Sequence, residues 1–136
     1  MHLLSELPYL AILAATIAGG VIGALWYSNA GFLPAWTRAN GAAPVVDGAS
    51  YATMTVVGLV GAFAVAMLLH ISGPSSASGV HEGLHMGLIC GLAIAAMSVG
   101  MNASFRSGRT TLALVDGGFH VVRFAVYGLV IGWWPW

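Results

Sequence analysis

The chain consists of long apolar runs separated by short polar connections. Four runs reach the roughly 20 residues that an α-helix needs to cross the hydrocarbon core of a bilayer. They are about Leu7–Ser28, Ser50–Ile71, Gly83–Phe105 and Thr110–Trp134. The length of the runs and their lack of alternation predict helices rather than the strands of a barrel. The third run holds no formal charge, whereas the fourth contains Asp116, His120 and Arg123. The connection Asn29–Ala49 carries Pro34, Arg38, Pro44 and Asp47. Ser72–Glu82 is rich in Gly, Ser and Pro and reads as a flexible turn, and Arg106–Arg109 as a tight turn around Gly108. No linker marks a second domain. The pattern predicts an all-α polytopic membrane protein: one domain over residues 1–136, with four transmembrane helices in a compact bundle. The first run lacks a positive leader and is too long for a signal-peptide core, so it reads as a membrane helix.

Composition sharpens this picture. Of the 136 residues 59% are hydrophobic and 6% charged, against about 25% charged in a soluble domain. That excludes a water-soluble or disordered chain. A net charge of zero argues against a nucleic-acid partner, which needs a basic footprint. The charges are four Arg, two Asp, two Glu and no Lys. Arg38, Arg106 and Arg109 fall in the first and third connections, on one side of a four-span protein. The positive-inside rule then places those connections in the cytoplasm and both termini outside. Aromatics mark both interfaces: Trp26, Tyr27, Trp36 and Tyr51 inside, and Tyr9, Trp133, Trp134 and Trp136 outside.

Small residues recur every four positions within the spans, a pattern that lets helix backbones approach closely. Ala15, Gly19 and Gly23 do so in the first, and Gly58, Ala62 and Ala66 in the second. Gly83, Gly87, Gly91 and Ala95 do so in the third, and Gly128 and Gly132 in the fourth. These faces serve packing within the monomer, or else contact with a second copy or another membrane subunit. Cys90 is solitary in mid-span and reads as a small buried apolar residue.

At 100° per residue, Asp116, His120, Arg123 and Tyr127 fall within roughly 60° of one another and form one stripe on the fourth span. Ionisable residues within a span are costly, face a bundle interior or water, and pair with one another. Asp116 and His120 stand at i,i+4, where an ion pair or hydrogen bond is expected. Two readings stay open. The stripe is a self-satisfied network that fixes helix register. Alternatively it handles protons or a ligand, with Asp116 as acceptor, His120 titrating near neutrality and Arg123 as an anion partner.

Two motifs carry a family resemblance. The run Gly23–Ala24–Leu25–Trp26–Tyr27–Ser28, followed by Trp36, Arg38 and Gly41, is the first. The run Asn102–Ala103–Ser104–Phe105–Arg106–Ser107–Gly108–Arg109, followed by Asp116–Gly117–Gly118–Phe119–His120, is the second. Together they resemble the start and end of the bacterial membrane family called domain of unknown function 1761. The resemblance implies four helices, a bacterial inner membrane and no assigned reaction. It also implies that Tyr27, Ser28, Trp36, Asn102, Arg109, Asp116 and His120 gather at the cytoplasmic half. Phe119 stands where the family often has Tyr, which removes a hydroxyl.

His81–Glu82–Gly83–Leu84–His85 reads H-E-x-x-H, a spacing that on a helix puts two His on one metal with Glu as base. Leu114–Val115–Asp116–Gly117–Gly118 is similar to the Asp-Gly motif of intramembrane metalloproteases. Span geometry separates the two: Asp116 is near the inner end of its helix and His85 near the outer end, roughly 20 Å apart in depth at 1.5 Å per residue. A different outer site, with His70, His81 and His85 beside Glu82, offers ligands for Zn or a similar divalent metal. His2 and Glu6 are expected on the same face. Against it, His81 and His85 lie opposite Gly83 and Gly87 on the wheel.

The sequence therefore favours a non-enzymatic bundle, without a cofactor, that acts as a homo-oligomer or as an accessory subunit among other membrane proteins. A transport or proton-linked protein using the Asp/His/Arg stripe is the alternative. A metal-binding protein or metallohydrolase at the outer face is a further one.

Overall fold

The structure is a computed structural model that describes residues 3–72 and 79–135. His2, Trp136 and most of the second connection lie outside the described residues. Helices account for nearly all of it: α1 (Tyr9–Trp26), α2 (Leu33–Asn40), α3 (Gly48–Ile71), α4 (Val80–Ala103) and α5 (Arg109–Trp133). A single turn of 3₁₀ helix, Leu3–Glu6, precedes them. All but α2 are long and apolar enough to cross a membrane. The four predicted spans match these four helices to within a few residues at each end.

Two of the boundaries have a local cause. Asp47 accepts a hydrogen bond from the Ser50 backbone N–H at 2.8 Å and so starts α3 two residues before the apolar run. At the turn into α5, Gly108 has φ 71°, a left-handed conformation that favours glycine. A Cβ there would also press into the Ala39 backbone, so this turn sits directly on the end of α2.

The helix α2 has no counterpart in the sequence reading, which treated residues 29–49 as a connection. It has Pro34 in its first turn and ends on Gly41 at φ 83°. Its 8 residues are too few for a span, so a search for membrane-length runs passes over it. It packs against α5 and brings Trp36 to the bundle.

The last helix is the axis of the bundle, and every other helix touches it. Its partner α4 lies against it at backbone distance from Gly83 to Gly91. A Cβ on Gly83 would come within 2.9 Å of the Gly128 carbonyl carbon, and one on Gly91 within 2.9 Å of the Val121 Cα. Glycines on both helices thus form one interlocked seam inside the chain. Midway, α4 loosens into a π-helical stretch, Cys90–Ala96, opposite Val121, His120 and Gly117. Cys90 is buried and free, as expected.

The apolar core lies towards the end of the bundle away from the arginines. It joins Leu7, Ala11, Ile12 and Ala15 to Ala62, Val65 and Ala66, with Cys90, Tyr127 and Ile131. Outside, large apolar side chains such as Leu10, Ile17, Val60, Ile94 and Leu114 are exposed, as a lipid solvent requires. One segment departs from this plan. Residues 51–57 of α3 are all exposed, and burial in α3 begins at Gly58.

Candidate functional site

The polar stripe of α5 faces the interior, and its four residues meet different fates. Asp116 stands seven residues after Arg109, roughly 10 Å along the helix at 1.5 Å per residue. Tyr27, at the end of α1, donates its hydroxyl to Asp116 Oδ1 at 2.7 Å. Trp36 of α2 donates its indole N–H to Oδ2 at 3.3 Å. Beside them Trp26 donates its indole N–H to the Val115 carbonyl at 3.0 Å. Two neutral donors from two other helices thus hold the carboxylate. No ion pair joins it to His120 or Arg123 among the described residues, so the expected pairing within the stripe is replaced by pairing between helices.

One turn further, the ring of His120 lies 5.3 Å from that of Phe119. Its Nδ1 is the one fully buried side-chain nitrogen or oxygen with no hydrogen-bond partner among the described residues. Leaving such a group unmade costs about 1–3 kcal/mol. Arg123 is 9% exposed, yet no carboxylate lies within 4 Å of it among the described residues. Its Nε donates to the Tyr127 hydroxyl. The guanidinium carbon stands 5.6 Å from the centre of the Phe119 ring and 5.4 Å from that of Tyr127. Such contacts supply about 0.5–2 kcal/mol each, less than the ion pair that a buried charge ordinarily finds.

The small-residue faces of α1 and α3 make room for these bulky groups. Gly19 lies against the Tyr127 ring, and a Cβ there would meet its Cζ at 3.0 Å. Gly58 covers Arg123 Nη2, where a Cβ would stand 2.6 Å away, and Gly61 faces Phe124 and Tyr127 at 3.3 Å. Gly23 faces Phe119 at 3.4 Å. The spacing of Gly19, Gly23 and Gly58 was legible, but not that they form a socket, and Gly61 was passed over. Phe119 was also undervalued: without a hydroxyl it is a face for Arg123, and its ring meets Tyr27 edge-on at 5.3 Å.

The remaining family-like positions do not join this cluster. Ser28 accepts from the Gly31 N–H at 3.1 Å and shapes the turn after α1. Asn102 and Arg109 are exposed and form no hydrogen bond to the stripe. Arg106 is tied to the Asn40 side chain, which links the third connection to the end of α2.

At the opposite end the histidines are spread out. His70 Nε2 stands 3.5 Å from Glu6 Oε2. His81 and His85 are exposed with ring centres 6.0 Å apart, while the neighbouring Gly83 and Gly87 face inward. No group of three His, Cys, Asp or Glu is placed to hold a metal among the described residues. The H-E-x-x-H and Asp-Gly motifs are far apart. Gly83 lies level with Gly128 and Gly87 with Phe124, whereas Gly117 lies level with Ala96. His85 and Asp116 are therefore separated by about ten residues of α5, roughly 15 Å.

These features define a class: a helical bundle with four membrane-capable helices and one polar site inside it, built on the last helix. A family profile matches residues 10–132, and the chain belongs to that family, the proteins of unknown function DUF1761. Among curated proteins and among solved structures nothing matches.

Proposed function

We propose that this chain is a non-enzymatic multi-pass protein of the bacterial inner membrane that responds to protons through the stripe on α5. The carrying observation is His120, whose buried Nδ1 has no hydrogen-bond partner among the described residues and stands one turn from both Asp116 and Arg123. An imidazole in that position exchanges a proton with whatever water reaches it. Asp116, oriented by Tyr27 and Trp36, is the fixed acceptor at the arginine end. The positive-inside rule puts Arg38, Arg106 and Arg109 in the cytoplasm and both termini outside, so the stripe opens from the cytoplasmic half.

Reconstitution into liposomes holding a pH-sensitive dye tests this reading. An imposed pH step should relax faster with the protein than without it. Asp116→Asn and His120→Gln should abolish that relaxation and leave helicity intact. Unchanged relaxation in both variants would make the stripe a structural device.

A second reading, an oligomer or an accessory subunit, draws support from Gly20 and Gly100. A Cβ at either would meet nothing within 4 Å. The other small-residue faces are occupied within the chain, so this reading rests on a narrow surface. Native mass spectrometry in mild detergent tests it, and a monomer without partners would remove it. The metal-site reading draws no support from the two exposed histidines, which have no third ligand placed with them among the described residues.

A further inference from the structure

The net charge of zero hides two unlike ends. Arg123 and Asp116 lie within the bundle. Of the other charges, Glu6 and Glu82 stand at one end, whereas Arg38, Arg106, Arg109 and Asp47 share the opposite one. There Asp47 is engaged in capping α3, its Oδ1 accepting from both the N–H and the hydroxyl of Ser50 at 2.8 Å. Arg106 is tied to the Asn40 side chain. Arg38 and Arg109 remain. Both are exposed, and neither has a hydrogen-bond partner or a carboxylate within 4 Å among the described residues.

Beside Arg38 the surface is hollow. An open depression of about 330 Å³ lies between α2 and the start of α5, lined by Ala35, Arg38, Ala39, Gly108 and Thr111. Small residues make it: Gly108 sits against the Ala39 backbone, and the two alanines carry only methyl groups. Thr111 brings a hydroxyl with no hydrogen-bond partner among the described residues, whereas Thr16 and Thr55 return theirs to the carbonyl four residues back. A guanidinium fork and a hydroxyl thus border one accessible space.

The level of this hollow says which solvent it meets. Arg109 opens a membrane-capable helix, so the hollow lies where that span ends and headgroups begin. One turn further along α5, Leu114 is 70% exposed, a surface for an acyl chain whose head occupies the hollow. Guanidinium forks match phosphate oxygens in geometry and charge, and basic pockets between spans suit anionic headgroups. A zwitterionic lipid would bring its ammonium beside two arginines, with no carboxylate within 4 Å of either to receive it.

We propose that the hollow between α2 and α5 seats the phosphate of an anionic phospholipid from the leaflet at the arginine end. Arg38 and the Thr111 hydroxyl are its donors, and Arg109 flanks it. The site is separate from the α5 stripe and does not rest on the proton-linked reading.

The test is native mass spectrometry of the full chain from mild detergent, with phosphatidylglycerol, phosphatidylcholine or inorganic phosphate titrated in. One phosphatidylglycerol should be retained at about tenfold lower concentration than phosphatidylcholine, and inorganic phosphate should not displace it. Losing a charged hydrogen-bond pair weakens binding about tenfold or more, the effect expected of Arg38→Gln. Ala35→Leu keeps every charge but fills the hollow, and should remove the preference. Arg106→Gln takes the same charge from the same end without touching the hollow, and should change retention far less. Equal retention of the two lipids by the unsubstituted protein would overturn the proposal, and that arm needs no variant to fold. Equal losses in Arg38→Gln and Arg106→Gln would also overturn it, by assigning the preference to the diffuse charge of that end. Displacement of the lipid by inorganic phosphate would do the same, by making the ligand a free anion.

Discussion

Replacing Gly128 by Ala tests the seam on which the bundle depends. A Cβ on Gly128 would stand 2.5 Å from the Gly83 carbonyl carbon and 3.2 Å from the Gly87 nitrogen. Carbon atoms at rest lie about 3.5–4.0 Å apart, so α4 and α5 would have to part by roughly 1 Å at this level. The obstacle is backbone on both sides, and no side chain can rotate away. Parting the helices also loosens the neighbouring contacts of Gly83, Gly87 and Gly132. Overpacking of a side chain into a core costs about 1–3 kcal/mol, and a backbone obstacle belongs at the top of that range, about 3 kcal/mol. The control is Gly20→Ala, where the methyl meets nothing within 4 Å. There the usual helical gain of about 0.5–1 kcal/mol is expected. The assay is unfolding in mixed detergent and SDS micelles, followed by far-ultraviolet circular dichroism. The two variants should differ by about 4 kcal/mol, the sum of those estimates. Equal midpoints for Gly128→Ala and Gly20→Ala would refute the close seam.

Trp36→Phe removes one of the two donors to Asp116 and keeps the ring. It should cost about 1 kcal/mol and raise hydrogen exchange across residues 33–40, because α2 loses its polar tie to α5. Unaltered exchange in that segment would show that packing alone holds α2. Asp47 lies outside the spans, and its carboxyl is held below the ordinary value by the Ser50 backbone N–H and then by the Ser50 hydroxyl. The contribution of this cap is full above the unfolded-state value of about 3.9 and is lost as pH falls through the lower folded-state value. Asp47→Ala should therefore lower stability at neutral pH and flatten the acid limb of the stability profile below about pH 4; parallel profiles would assign that limb to other carboxyls.

Much of the architecture was legible along the chain. Four membrane-length helices followed from apolar length, because a backbone in hydrocarbon must satisfy its own hydrogen bonds segment by segment. The inward face of α5 followed from the spacing of Asp116, His120, Arg123 and Tyr127. The outward turn of His81 and His85 followed from the position of Gly83 and Gly87. The small helix α2 was passed over, since an element that lies beside a bundle rather than across it carries no length signal.

Partnership was the part that spacing did not contain. Along α5 the near neighbours of Asp116 are His120 and Arg123, yet its hydrogen bonds go to Tyr27 and Trp36, 89 and 80 residues away. Arg123 ended in a socket of glycines and aromatic faces rather than beside a carboxylate. A helical wheel reports which direction a side chain leaves its own axis. Which helix stands in that direction, and at what height, depends on how all the surfaces fit together. The sequence alone determined the spans, the polar stripe and the end that carries the arginines. The tertiary structure decided that the glycine faces close on one another and on the stripe, and that Arg123 inside the bundle meets aromatic faces and a hydroxyl, with no carboxylate within 4 Å among the described residues.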